Sequence, residues 1–268
     1  MTDINDLIKN WWKQILFVVL LSLLVVGTIT FIKPRQYLSV ATAVPASSFA
    51  ADRSKIFSDN IQDLYSTLGT ADDLDRIVGT GNLDTVYLAV AAQFNLFDHY
   101  KMAEKSDVAL PKAAAILKKN SRVMKSEYGE LKVKVWDTDK NLAPQLANMI
   151  MDKLAIIHQQ LQSAGNEAAL KGLVTGKVKL QGQLDSTAIT ADTKNALAVQ
   201  LQQYEKLIGE YQLMVDSKPP VLLVVENARA SAWPDRPRRM QVLIATAVLS
   251  FFFAFLAALL MESRKKTK

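Results

Sequence analysis

The residue types that most readily carry out chemistry are sparse in this chain. It has no cysteine and only two histidines, His99 and His158. Neither histidine has a companion at the spacing that metal sites use, so both are expected to be solvated or packed. Three aspartates, Asp72, Asp73 and Asp75, stand close together and are expected to stabilise the start of a helix. These residues therefore indicate neither a metal site nor a catalytic centre.

The stretch GLVTGKVKL, residues Gly172–Leu180, superficially resembles a phosphate-binding loop. In that motif a lysine followed by serine or threonine ends a glycine-rich turn between a strand and a helix. Here no serine or threonine follows Lys177, and the stretch lies inside a predicted helix. We therefore expect a protein that is not an enzyme and that has no cofactor and no metal.

Two apolar runs without any charged residue, Ile15–Ile32 and Val242–Met261, predict transmembrane helices. At about 1.5 Å per residue they span roughly 27 and 30 Å, against a hydrocarbon core of about 30 Å. The first run could instead be a cleaved signal peptide, since VATA at Val40–Ala43 offers a small-residue cleavage site. That site lies too far beyond the apolar run, so we interpret the run as a retained anchor.

Half of the net charge of +6 lies after Met261, where four basic residues accompany one glutamate, and the other half is dispersed along the chain. Acidic and basic residues interleave through the middle, which is typical of a solvated surface and not of a nucleic-acid-binding stripe. Two spans would place residues 1–14 and 262–268 on one side of the membrane and residues 33–241 on the other. Lysines and arginines flank the two sides in nearly equal number, so charge does not fix the orientation. The terminal segments are short, so the function is expected in the middle region.

The middle region predicts an α+β base that is discontinuous in sequence, formed by residues 33–140 and 218–233. From Tyr37 onward, alternating residues are typical of a strand that Pro45 ends. The stretch VLLVVENARA, which follows a predicted helical region, is typical of a strand that returns to the same sheet.

Two further strands of the base are predicted at Ser121–Ser126 and Leu131–Asp137, with a tyrosine–glycine turn between them. In the second of these strands, apolar residues alternate with Lys132, Lys134 and Trp136. This alternation predicts a sheet with one face in solvent, on which Trp136 would lie.

Residues 141–217 predict an antiparallel helical hairpin, which the segment DSTAITADT interrupts. In the first arm, apolar residues recur every three or four positions. They are Leu146, Ile150, Leu154, Ile157, Leu161, Ala164 and Ala168. The return arm has a coiled-coil-like seam, formed by Leu197, Leu201, Tyr204, Ile208 and Tyr211. We expect the first arm to pack on the base in its early part and on the return arm in its later part.

A stretch with two prolines and three arginines, SAWPDRPRRM, stands directly before the second span. Proline fixes φ and lacks an amide donor, so this proline neck, residues 234–241, is expected to be extended and stiff. The residues to which we assign a role are Trp233, Pro234, Arg236, Pro237, Arg238 and Arg239.

Three stretches together resemble the polysaccharide co-polymerases, the Wzz-type chain length determinant proteins. IKNWWKQILFVVLLSLLVVGTITFIKPRQYLSVATAVP has the family's aromatic–basic start, span, proline and strand. LKVKVWDTDKNLAPQLANMIMDKL resembles its strand, Asp-containing turn and long helix, and ENARASAWPDRPRRM resembles its proline-rich segment. The likeness covers nearly the full chain, but the neck has fewer prolines than is usual and Pro45 lacks a second proline beside it.

The resemblance implies an α+β protein of the bacterial inner membrane, with both termini cytoplasmic and the main domain periplasmic. Family members form ring-shaped homo-oligomers and, without being enzymes, regulate how long a lipid-linked polysaccharide such as O-antigen grows before a polymerase releases it. The implied partners are thus further copies of the chain, a polysaccharide polymerase, the lipid-linked polysaccharide and inner-membrane lipids.

In this context the proline neck would transmit the position of the sheet to the second span, while its arginines hold lipid headgroups. The simpler interpretation is that these residues only stop a helix and anchor it. Pro34, Tyr37 and Pro45 would mark the membrane-proximal start of the base.

Two other functions fit the same layout. One is an accessory protein of capsule or exopolysaccharide export, which works with a transporter instead of a polymerase. The other is a two-span sensor that needs a partner chain for signalling.

Overall fold

The computed structural model describes residues 4–46, 71–102, 108–185 and 191–266. Residues 186–190, where the predicted break between the hairpin arms falls, lie outside the described residues, as do residues 267–268 of the predicted tail. The chain forms two compact units. The span unit comprises Met1–Leu38, Trp136–Lys140 and Ala230–Lys268, and the base unit comprises Ser39–Val135 and Asn141–Arg229.

The described elements are eight helices and four strands. The helices are α1 (Ile4–Ile32), α2 (Ala71–Thr80), α3 (Asp84–Gln93), α4 (Leu96–His99), α5 (Ala109–Lys119), α6 (Leu142–Leu184), α7 (Ala191–Ser217) and α8 (Arg239–Lys266). The strands are β1 (Tyr37–Pro45), β2 (Ser121–Lys125), β3 (Leu131–Asp137) and β4 (Leu222–Glu226).

In the span unit, α1 packs against α8. Ile15, Ala254 and Ala258 form the centre of this contact and are at most 7% exposed. The stretches Trp11–Ile32 and Arg239–Ser263 are long and apolar enough to cross a membrane, yet only 11% of the most apolar window of each is buried. A continuous exposed apolar surface of this size is unfavourable in water and indicates a lipid environment.

A four-stranded sheet with the order β2-β3-β1-β4 organises the base unit. β2 and β3 form a hairpin with Ser121 opposite Val135, and Gly129 in its turn has a φ of 73°, which favours glycine. β4 pairs antiparallel with β1, where Pro45 lies opposite Leu222. One sheet therefore joins segments from both sides of the helical hairpin.

One apolar core fills the base unit and takes side chains from the sheet and from α2, α3, α5 and α6. Leu131, Val133 and Val135 of β3 are fully buried, whereas Lys132 and Lys134 between them are half-buried. Burying an aliphatic side chain of this size contributes about 1.5–3 kcal/mol. The alternation that predicts β3 thus directs its apolar face into the core.

The longest helix, α6, has 43 residues and changes partner along its length. Between Leu146 and Leu154 its apolar stripe is buried in the core of the base. The predicted continuation of this stripe is wrong, because Leu161 is 62% exposed and Ala164 and Ala168 are exposed too. Beyond the core α6 packs on α7, and it meets α7 with a different face from the one that it buries in the core.

These elements confirm the fold class predicted from the sequence: an α+β chain with two apolar, span-length helices and a long antiparallel helical pair.

Candidate functional site

The proline neck has no helical structure between Trp233 and Arg238. α8 begins at Arg239, so the last three residues of the segment predicted as neck are helical. The peptide bond that precedes Pro237 is cis. Proline breaks helices beyond their first turn, and this accounts for a non-helical segment directly before a long helix.

The neck is hydrogen-bonded to the residues that follow the first span. Gln36 forms an antiparallel bridge with Arg236, and its amide donates to the Arg236 carbonyl at 2.9 Å. The Gln36 carbonyl accepts from the amides of Asp235 and Arg236, at 2.9 and 3.3 Å. Pro234 and Pro237 have no amide hydrogen, so the bridge uses the two donors that lie between them.

Trp136, near the end of β3, holds the same two neck residues through its side chain. Its indole Nε1 donates to Asp235 Oδ2 at 2.8 Å. The Arg236 guanidinium lies over the indole ring, 3.8 Å from its centroid, in a cation–π contact worth about 0.5–2 kcal/mol. Gln36, Trp136, Asp235 and Arg236 therefore form one connected cluster, which we call the neck clamp.

Asp235 carries the negative charge of the neck clamp. Its carboxylate also accepts a hydrogen bond from Arg238 at 3.3 Å. The hydrogen bond from Trp136 is the main cause that lowers the pKa of Asp235, and Arg238 and Arg236 lower it further against the effect of partial burial. The carboxylate is thus ionised at neutral pH, and it faces two guanidinium groups.

The three arginines that the sequence interpretation groups together have different surroundings. Arg236 stacks on Trp136, and Arg238 pairs with Asp235. Arg239 lies over the ring of Phe31, 4.6 Å from its centroid, and so connects the start of α8 with the end of α1. Arg236 thus contacts an aromatic ring and Arg238 a carboxylate, although both residues are exposed, Arg238 with a side chain that is 65% exposed.

The other predicted neck and base residues lie outside the clamp. Trp233 is 80% exposed, and Pro34 is exposed. Tyr37 is half-buried and begins β1 directly after Gln36. Pro45 ends β1 in the sheet of the base unit, so Pro45 is not brought together with the neck residues.

Sequence reasoning missed Gln36, Trp136 and Asp235. The prediction that Trp136 lies in solvent is wrong, because it is only 8% exposed. A tryptophan in line with two lysines departs from the pattern of a solvated face, and this signal could have identified it. Gln36 and Asp235 carry no such signal, because their role comes from backbone pairing between segments far apart in sequence.

The predicted hairpin seam lies in the base unit, on α7. Leu197, Leu201, Tyr204, Ile208 and Tyr211 are all half-buried, while most of their neighbours on α7 are exposed. The Tyr204 ring packs where α6 has Gly176, since a Cβ at that glycine would come within 2.6 Å of Tyr204 Cε1. Beside this contact, Lys177 of α6 pairs with Glu205 of α7 at 2.9 Å.

The residues rejected as chemical groups have packing roles. His158 is half-buried, its Nε2 lies 2.9 Å from Thr80 Oγ1, and burial lowers its pKa. The ring centroid of His99 lies 5.0 Å from that of Tyr100. Gly172–Leu180 lies wholly within α6, which is not the strand-to-helix turn that a phosphate-binding loop requires.

Fold and clamp together define an α+β protein with two apolar spans whose flanking segments are hydrogen-bonded to each other. No protein-family model and no curated protein sequence matches the chain. Among solved structures, it is similar to a full-length bacterial polysaccharide co-polymerase, at 13% identity and a TM-score of 0.43 over 99% of this chain and 98% of that one. It is also similar to a fragment of WzzB, a polysaccharide co-polymerase from Salmonella Typhimurium, at 13% identity and a TM-score of 0.38 over 75% of this chain and all of that one.

Proposed function

We propose that the chain is a non-enzymatic regulator of surface polysaccharide length. It acts as a ring-shaped homo-oligomer in the bacterial inner membrane, together with a polysaccharide polymerase and its lipid-linked product. Both termini are cytoplasmic, and residues 33–241 form the periplasmic domain. The proline neck is the functional segment, and the seam residues on α7 hold the hairpin that the oligomer requires.

The neck clamp is the observation that carries this proposal. Three separate stretches of sequence resemble the co-polymerase family, and the clamp takes residues from all three. Gln36 comes from the stretch around the first span, Trp136 from the middle stretch, and Asp235 and Arg236 from the proline-rich stretch. A resemblance in three distant places that meets in one cluster supports a shared architecture more strongly than any one stretch does.

The test uses a strain that lacks the gene and compares gel profiles of its surface polysaccharide with and without the restored chain. We expect a defined modal length that is lost without the chain and restored with it. Loss of polysaccharide from the surface, with no change in the length of what remains, would instead favour the export accessory. An identical profile in both strains would contradict both functions.

Trp136→Phe tests the role of the clamp within this function. Phenylalanine keeps a ring for Arg236 but removes the N–H that Asp235 accepts, so the length distribution should shift at equal protein level. Trp12→Phe is the matched control, because Trp12 lies on the first span and is 52% exposed. A clamp variant with the control's profile would show that the clamp has no part in regulation.

Topology and assembly are tested separately from length. A reporter that is active only in the periplasm should work when inserted near Gly182 and fail when fused at Lys268. Chemical cross-linking in membranes should give a ladder of homo-oligomers. The opposite reporter pattern, or a chain that stays monomeric in membranes, would contradict the corresponding part of the proposal.

A further inference from the structure

A pocket of about 420 Å³ lies in the span unit, beside the neck clamp. This volume is within the range of about 300–1,000 Å³ that ligand pockets have. Its wall combines the guanidinium-bearing residues Arg35, Arg238 and Arg239 with apolar surface from Trp233, Met240 and the two neck prolines. No carboxylate-bearing residue is among the described residues that line it.

The pocket is positively charged because its three arginines have little compensation. Asp235 pairs with Arg238 but does not line the pocket. Arg239 is held over the Phe31 ring, and its Nε is buried without a hydrogen-bond acceptor among the described residues. A buried donor without an acceptor is unfavourable, so a ligand oxygen that reached it would remove that cost. Arg236 does not belong to this set, since it stacks on Trp136.

Both spans end at this pocket. Arg35 follows closely after Ile32, the last residue of the first span-length stretch, and Arg239 is the first residue of the second. The first-turn amides of α8, including that of Met240, have no acceptor within the helix and add positive potential there. If the spans lie in lipid, this level is that of the headgroups, with Trp233 and Met240 beside the glycerol and upper acyl region.

We infer that this pocket binds the phosphodiester of an anionic lipid headgroup. Arginine forks match phosphate oxygens in a bidentate manner, and the headgroup of an anionic lipid such as phosphatidylglycerol has no amine to offset the charge of its phosphate. The inference requires only that α1 and α8 lie in a membrane. It goes beyond the regulation of polysaccharide length, and each can fail without the other.

Native mass spectrometry of the full-length, delipidated chain in neutral detergent tests the inference with phosphatidylglycerol and phosphatidylcholine as probes. We expect preferential binding of phosphatidylglycerol, and we expect R35Q/R239Q to weaken it by about tenfold or more. K13Q/K33Q is the matched control, because it removes the same charge without touching the pocket, and it should stay within about twofold. Equal losses in both double variants, or no loss in either, would overturn the inference.

R35K/R239K keeps the charge and guards against a glutamine variant that fails to fold. It should bind phosphatidylglycerol several-fold more weakly than the parent, since lysine lacks the guanidinium fork. Binding equal to that of the parent would reduce the site to general charge attraction and overturn the inference. Competition with millimolar inorganic phosphate distinguishes free phosphate from a lipid headgroup as the ligand. Displacement of the lipid shows a site for phosphate itself. Retention of the lipid, with the arginine dependence intact, shows a site for the whole headgroup.

Discussion

Two antiparallel helix pairs in this chain, α1 with α8 and α6 with α7, have surfaces that suit different solvents. The outward surface of the span pair is apolar almost without interruption, whereas that of the hairpin mixes charged, amide and scattered apolar residues. Leu21 of α1 and Leu213 of α7 are almost equally exposed, at 52% and 53%. Exposure alone therefore does not distinguish a lipid-facing residue from a solvent-facing one. The types of the neighbouring residues along the helix do.

The inner faces of the two pairs differ as well. The span pair meets at the small residues Ala254 and Ala258, which let the helices come close where lipid removes any hydrophobic driving force. The hairpin buries larger side chains partly and adds the ion pair of Lys177 with Glu205. In water, partial burial of an apolar seam already stabilises the pair.

The largest effect is expected where α6 is buried in the core of the base. Ile150 is fully buried and Ile156, on the same helix, is 45% exposed. Ile150→Ala should lower the free energy of unfolding by about 2–5 kcal/mol, because it removes buried methylene groups and leaves a cavity. Ile156→Ala should change it by less than about 1 kcal/mol. Denaturant titration in detergent checks both, and equal effects would show that α6 is not a core helix there.

The next prediction tests the comparison of the two pairs directly, because it places the same charge at two equally exposed leucines. Leu21→Lys should raise the apparent free energy of membrane insertion of the first span by about 2.5–3.5 kcal/mol. Leu213→Lys should leave the free energy of unfolding within about 0.5 kcal/mol. The ratio of membrane-integrated to translocated chains measures the first, and a Leu21→Lys chain that inserts normally would argue against lipid around α1.

A smaller effect is expected in the hairpin, at two glycines of α6. Gly172 and Gly176 lie one turn apart on α6, but a Cβ meets nothing within 4 Å at Gly172 and lies 2.6 Å from Tyr204 at Gly176. Gly172→Ala should stabilise the chain by about 0.5–1 kcal/mol through helix propensity. Gly176→Ala should be less stable than Gly172→Ala by about 1 kcal/mol or more, because the tyrosine must move. Thermal unfolding midpoints of the two variants check this difference, and equal midpoints would mean that Tyr204 does not pack beside Gly176.

The smallest effect concerns a polar contact of the span unit, the hydrogen bond from Trp136 to Asp235. The pKa of Asp235 is lowered in the folded chain, so its contribution is complete above the unfolded pKa and is lost as pH falls through the lower, folded value. We expect the neck clamp to loosen only below about pH 4, where carboxylates protonate. Trp136 emission, in a background where Trp11, Trp12 and Trp233 are phenylalanine, should change over that range. Asp235→Asn should abolish the change, and an unaltered titration would assign it to another group.

Periodicity in the sequence predicts much of this fold. Uncharged runs predict α1 and α8, alternation predicts β1 and β3, and the four-three spacing predicts which face of α7 is half-buried, because each pattern reflects one face and one solvent. The rest depends on partners distant in sequence. The face change on α6 follows from where α7 packs, and the clamp follows from Trp136 meeting Asp235, so neither has a local pattern.

The antiparallel pairing of β1 with β4 has a consequence for the order of assembly. Thr42 pairs with Glu226, and at roughly 5–20 residues per second the ribosome supplies that partner about 10–40 s after the first strand. The indole of Trp11 donates to Glu262 at 3.0 Å, and the interval between the synthesis of these two residues is longer still. The sheet and the span pair are both closed by segments that follow the helical hairpin in sequence, so β1 lacks its β4 partner until the hairpin has been made. Both units therefore close only after the helical hairpin has been made, with the first span already able to hold the unfinished chain at the membrane.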